Sequence, residues 1–180
     1  MLAMLEAVVA AALGADLGPV ALATSEPTAP DIGAALRVAV LSDGDLPWNE
    51  GLVRALLSLP ELPERVLFLA GDVPLLTVAD LHEFVAVAPT PGVCIARARD
   101  NGTNALLITP PDALRPAFGT PRSSEVHAAR SRAAALSCRT VDIPGLALDV
   151  DTVEDAHDAG LLAEPSTEQV ALRAANHLRG

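Results

Sequence analysis

The 180-residue chain has no tyrosine and no lysine, one tryptophan, three phenylalanines and two cysteines. All twelve of its basic residues are arginine, and its formal net charge is −11. Such an acidic chain excludes nonspecific nucleic-acid binding. An anionic ligand would need a locally positive pocket, backbone amides or a bound cation. Cys94 and Cys138 are too few and too far apart for a disulfide framework or a zinc site, and the four histidines show no paired metal-ligand spacing. A reducing cytoplasm fits this cysteine usage. No apolar run is long enough to cross a bilayer, so no membrane partner is expected. The opening stretch Met1 to Leu13 carries Glu6 and has no basic residue before it, so it is read as a buried helix and not a signal peptide.

Apolar residues make up 51% of the chain and charged residues 19%, the balance of a compact folded protein. Apolar spacing predicts helices over Leu2–Leu13, Asn49–Leu57, Thr77–Val85, Ser123–Leu136 and Thr152–Leu162. Short apolar runs predict strands over Pro19–Thr24, Leu36–Leu41, Arg65–Ala70, Thr140–Ile143 and Leu146–Val150. The run Arg65–Ala70 has the continuous apolar character of a central strand buried on both faces. Val93–Ala98 and Ala105–Thr109, joined by a segment containing Asn101-Gly102, read as a hairpin. Residues 1–163 are expected to form one domain and 164–180 a helical tail, opened by the capping box Ser166 to Gln169. The alternation of strands and helices predicts a three-layer α/β sandwich with a mixed, mostly parallel sheet, whose ligands sit beyond the carboxyl ends of the strands.

Four segments fall at such positions, each with a plainer reading beside the chemical one. Gly71-Asp72-Val73-Pro74-Leu75 follows the most apolar strand and offers Asp72 as a metal ligand, or it is only a stiffened turn. Asp149 and Asp151 alternate along an expected strand, which would put both carboxylates on one face about 7 Å apart. Such a pair suits a hard cation. Alternatively, Asp151 merely favours the start of a helix that Thr152 and Asp155 cap. Asn101-Gly102-Thr103-Asn104 offers a hydroxyl, an amide and backbone N–H groups to a phosphate or carboxylate, and also has the makings of an ordinary hairpin turn. Phe118 to Ser124 leads into a helix start, where hydroxyls and Arg122 suit an anion, although Ser-Ser there is commonly a simple cap. His127, on that helix, is expected at the surface.

In order and spacing, GDVPLL, NGTNALL, FGTPRSS and PGLALDVDTVED resemble the signature of the 2-phospho-L-lactate guanylyltransferase family, whose bacterial members use phosphoenolpyruvate. The resemblance covers Leu5 to Leu162. It implies a nucleotidyltransferase (Rossmann-like) α/β/α sandwich that transfers GMP from GTP to a three-carbon phospho-acid in coenzyme F-420 biosynthesis, with release of pyrophosphate. It also implies that Asp72, Asp149 and Asp151 hold magnesium and carry the catalysis. Thr103, Asn104, Gly119, Ser123 and Ser124 would bind the acid, and Asn49, Gly71 and Pro74 the nucleotide. A downstream transferase that consumes the product is the implied protein partner. The sequence departs from the family where the family begins: the first strand and the Lys- and Arg-bearing phosphate loop are not found, and Met1–Leu13 resembles the second half of the helix that follows them. Trp48 lies in the DGDLPWN segment, where the family places other residues. A misplaced start codon is the favoured explanation, and a truncated, non-catalytic relative that still binds a phospho-acid the other. A sugar or molybdopterin nucleotidyltransferase is the enzymatic alternative.

Overall fold

The computed structural model describes residues 2–161, which leaves the expected tail helix outside the described residues. The chain divides into two compact units, Met1–Asp149 and Val150–Gly180. In the first, helix α1 (Leu2–Gly14) leads to strand β1 (Ala21–Ala23), helix α2 (Ala29–Leu36), strand β2 (Ala39–Leu41) and helix α3 (Trp48–Leu57). Strand β3 (Val66–Leu69), helix α4 (Val78–Ala86), strands β4 (Gly92–Arg97) and β5 (Thr103–Thr109), helix α5 (Ser123–Ala133), strand β6 (Cys138–Val141) and the short helix α6 (Pro144–Ala147) follow. The second unit contains helix α7 (Val153–Asp158), held by the expected capping box between Thr152 and Asp155.

Strand alternation builds the layers of the first unit. Cys94 and Ala96 of β4, with Ala105 and Leu107 of β5, pack against Val8 of α1, Leu81 and Phe84 of α4 and Leu146 of α6. Their neighbours Val93, Ile95, Leu106 and Ile108 face the other way, onto Leu114, Phe118, Leu52 of α3 and Ala128 of α5. Helices therefore cover both faces of the sheet, as expected for the sandwich.

The strands form two groups. β1 and β2 pair in parallel, and the other four run in the order β3-β5-β4-β6. β5 is antiparallel to both β3 and β4, while β4 and β6 are parallel. Three of these four strands thus point the same way, and the β4–β5 pair is the hairpin foreseen from Asn101-Gly102. Asn101 takes up a left-handed backbone (φ 71°) in its turn.

Several expectations are corrected. Arg65–Ala70 is not a central strand: β3 ends the four-stranded group, and all four of its residues are half-buried. An apolar run shows that a strand contacts apolar neighbours, not that both of its edges are paired. Leu36 closes helix α2 and does not open a strand; that helix is short, alanine-rich and carries Pro30 in its first turn, too weak a pattern to register. No strand forms over Leu146–Val150, because Pro144 opens a helical turn there. The alternation argument for Asp149 and Asp151 therefore loses its basis.

A cavity of about 640 Å³ separates β1 from β3. Residues 19–23 and 65–69 line it without a break. Successive residues of a strand face opposite sides, so a cavity met by every one of them runs along the edges of the two strands and not over a face. Leu5, Val8 and Val9 of α1 and Leu56 of α3 add apolar walls.

Candidate active site

The carboxyl end of β3, the start of β5 and the segments before α5 and after α6 meet at one end of the four-stranded sheet. The Ala70 N–H donates to Asn104 O (2.8 Å), so the chain leaving β3 toward Asp72 runs beside the first residues of β5. Asn104 Nδ2 donates to Leu146 O (3.0 Å) and to Asp149 Oδ1 (3.3 Å), which ties the segment after α6 to the same place. The Arg99 N–H donates to Ala147 O (2.9 Å) and fastens that segment from the β4 side.

Thr103, one residue earlier on β5, faces the opposite side of the sheet, where it meets helix α5. Ser123 Oγ donates to Thr103 Oγ1 (3.0 Å), and His127 Nδ1 lies 3.0 Å from the same oxygen. The backbone N–H of Ala117 donates to His127 Nε2 (2.8 Å). Ser124 Oγ donates to Asn101 O (2.7 Å), pinning the helix start to the hairpin turn. Neither serine caps the helix through its side chain, so the plain capping reading of Ser-Ser fails. The N-cap position is Arg122, in left-handed backbone, and its guanidinium pairs with Glu125 and leaves that cation partly satisfied on the surface.

His127 is not at the surface but fully buried. Burial pushes its pKa down to about 4, with a smaller push from the positive charge of Arg130. It is therefore a neutral imidazole at ordinary pH. Its place was legible in one respect: four residues separate it from Ser123, one helical turn on the same face.

Asn49 and Gly119 meet through Phe118. Asn49 Nδ2 donates to Phe118 O (2.9 Å), and the Phe118 N–H donates to Asn49 Oδ1 (2.7 Å), so the backbone partners fix the amide orientation. Trp48 stacks on Phe118 with ring centroids 5.8 Å apart. A side chain at Gly119 (φ 69°) would meet the Trp48 ring at 3.1 Å and would also be strained. The Trp48–Phe118 platform was not foreseen; the signal for it is that the two bulky aromatics flank the very segments singled out.

The structure thus brings Thr103 and Ser123 together, places Asn104 beside Asp149, and sets Gly71, Asp72 and Pro74 in the turn after β3 at that same sheet end. Among the described residues no group of three or more His, Cys, Asp or Glu side chains is placed to hold a metal ion. Asp151 lies in the second unit, where its backbone N–H donates to Asp155 Oδ2 (3.3 Å) as part of the start of α7.

Residues 1–171 match the family described as guanylyl transferase CofC like. The chain belongs to that family. It is 33% identical over 137 residues to a phosphoenolpyruvate guanylyltransferase of Conexibacter woesei, covering 73% of this chain and 61% of that protein. It is likewise 33% identical over 105 residues to a 3-phospho-D-glycerate guanylyltransferase of Colwellia psychrerythraea, covering 58% of this chain and 50% of the relative. The chain spans about half the length of the curated relatives it matches. A nucleotidyl transferase from Methanothermobacter shares the fold, with a TM-score of 0.63 at 20% identity over 86% of this chain and 77% of that one. The nucleotidyltransferase sandwich expected from the sequence is the fold that the chain shares with that structure. Among the described residues no helix is long and apolar enough to cross a membrane.

Proposed function

We propose that this protein transfers GMP from GTP to the phosphate of a three-carbon phospho-acid, phosphoenolpyruvate or 2-phospho-L-lactate, and releases pyrophosphate, as a step in coenzyme F-420 biosynthesis. The observation that carries the reading is the pairing of two unlike groups at the start of β5. Neutral hydroxyl donors, Thr103 and Ser123, stand on one side of the strand, and the Asn104–Asp149 contact stands on the other. The first suits an oxyanion and the second a cation, which is what joining two polyanions requires. Membership of the family and the names of the relatives support the same chemistry.

In the reaction an oxygen of the acceptor phosphate attacks the α-phosphorus of GTP. The new P–O bond forms as the bond to pyrophosphate breaks, and pyrophosphate leaves with the electron pair, so no protein nucleophile is required. Thr103 binds the acid through its hydroxyl, and Ser123 supports it by donating to the Thr103 oxygen. Ser124 holds the hairpin turn in place, and Gly119 makes room for the Trp48 ring against the turn on the acid side. Asn104 orients Asp149. Gly71 and Pro74 shape the turn on the nucleotide side, and Asn49 acts there through Phe118.

Asp72 and Asp149 fit magnesium in donor chemistry, since both supply hard carboxylate oxygens at one sheet end. Two carboxylates are a common protein share of its shell when substrate phosphates complete it. Bound there, the ion would offset the charge of the two anions and help align them. The family resemblance adds Asp151 to this set. A cytoplasmic location accords with two free cysteines, and a transferase that consumes the guanylylated acid is the proposed partner.

The test is pyrophosphate release from GTP and magnesium with phosphoenolpyruvate, 2-phospho-L-lactate or 3-phosphoglycerate, on this chain and on a version extended upstream. Acid-dependent release by either form supports the reading. Release by neither form, with phosphoenolpyruvate still bound, would establish a non-catalytic phospho-acid binder instead.

A further inference from the structure

We infer that His127 is a positioning residue that fixes the direction of the Thr103 hydroxyl proton toward the bound acid. The inference rests on the proposed acid site and extends it to a residue that touches no substrate. The backbone N–H of Ala117 can only donate, so His127 Nε2, 2.8 Å away, must present its lone pair. A neutral imidazole carries its one proton on the other nitrogen, so Nδ1–H donates to Thr103 Oγ1 at 3.0 Å. Ser123 Oγ donates to that oxygen as well. A hydroxyl has two lone pairs and one proton. With both lone pairs occupied, the only capacity left to Thr103 is to donate.

A chain of fixed direction therefore runs from the Ala117 amide through the imidazole to the threonine oxygen, and the proton at its end is left for an acceptor. An oxygen of a phosphate or carboxylate is such an acceptor. A serine or threonine without these neighbours could turn its proton to any nearby carbonyl; here that freedom is removed before the ligand arrives. The His127 and Phe118 rings pack at a steep angle, 5.3 Å between centroids, and Ser131 Oγ donates to the His127 carbonyl at 2.9 Å, so the imidazole is held by its own surroundings.

The experiment has two arms. First, nitrogen-15 NMR of the ligand-free protein at pH 7 should show the His127 imidazole protonated on Nδ1 only. Protonation on Nε2 would overturn the inference whatever the ligand does. Second, phosphoenolpyruvate, 2-phospho-L-lactate and 3-phosphoglycerate are each titrated while the fluorescence of Trp48, the only tryptophan, is followed in the wild type and two variants. His127→Asn retains a donor near the Nδ1 position, whereas His127→Gln retains a group near Nε2 and loses the donor to Thr103. The expected result is binding weakened about tenfold in His127→Gln, the effect of about one hydrogen bond, with His127→Asn closer to wild type. A merely structural role would not separate the two variants in this order. If the wild type binds phosphoenolpyruvate and the variants bind it equally, the inference falls and the acid site stands. If the wild type binds none of the three acids, the acid site falls and the inference with it. Should a variant fail to fold, the NMR arm on the wild type still decides.

Discussion

Lowering the pH from 7 to 5 should cost this fold about 2 kcal/mol through His127 alone. The imidazole is fully buried, its Nε2 accepts from the Ala117 amide, and its folded-state pKa is about 4 against an ordinary 6.5. The unfolded chain therefore takes up a proton near pH 6.5 that the folded chain refuses until about pH 4. A depressed histidine pKa gives stability that is present above pH 6.5 and lost as the pH falls toward 4, because protonation then favours the unfolded state. The whole difference is about 3 kcal/mol by the worth of a pKa unit, and about 2 kcal/mol of it is gone at pH 5. Asp43 and Asp142 are held below the usual carboxylate range by hydrogen bonds from Ser25 and Arg97 respectively. Their contributions are lost as the pH drops below about 4, outside this window. Urea unfolding at pH 7, 6 and 5 measures the effect, with His127→Gln as the control in which the loss should shrink. A wild type equally stable at pH 7 and 5, or a variant that loses as much as the wild type, would refute the burial argument.

Asp149→Asn should lower pyrophosphate release by about a hundredfold or more, since the amide oxygen can still accept from Asn104 while the charge for a cation is gone; near-normal turnover would refute the proposed metal role. Gly145→Ala should destabilise by about 1–3 kcal/mol, because an added methyl would collide with Asp80 Oδ2 and lie 2.9 Å from Leu75 O; an unchanged urea midpoint would show that α4 gives way freely. Asn49→Ala should release the Phe118 backbone and weaken nucleotide binding, read as a raised KM for GTP with kcat less affected. An extended apolar segment added ahead of α1 should pair with the facing edges of β1 and β3 and raise the melting temperature, whereas an equally long polar segment should not.

The hairpin and the capped helices α4 and α7 were legible because each rests on local chemistry. Asn101-Gly102 supplies a left-handed turn, and Thr77 with Asp80 and Thr152 with Asp155 make capping boxes that need no tertiary partner. Asp149 and Asp151 were misread for the opposite reason. The apolar character of Leu146 and Leu148 satisfied a strand pattern, but Pro144 had already committed the chain to a helical turn, and Leu146 is buried from that turn instead. The role of His127 was hidden because a single histidine on a helix carries no periodic signal. Only the approach of β5 and the Ala117 backbone gives it partners.

β3 shows most clearly what composition leaves open. Its four apolar residues predict contact with apolar neighbours, and they have it: β5 pairs with one edge and the helices cover its faces. Nothing in Val66 to Leu69 specifies what lies along the other edge, because backbone N–H and C=O groups are the same in every residue. That edge faces β1 across the cavity, and β1 in turn is paired only with β2 among the described residues. β1 and β2 are joined through helix α2 as a parallel crossover unit, and α1 leads into β1 in the same manner while lining the cavity with Leu5, Val8 and Val9. An added strand that filled the space between β1 and β3 would pair with the facing edges of both. A continuous sheet would then carry Asp72 at the end of an interior strand instead of an edge. Backbone amides of β3 facing the cavity should exchange with solvent faster than those bonded to β5, and a strand bound in the gap should slow the first set far more than the second.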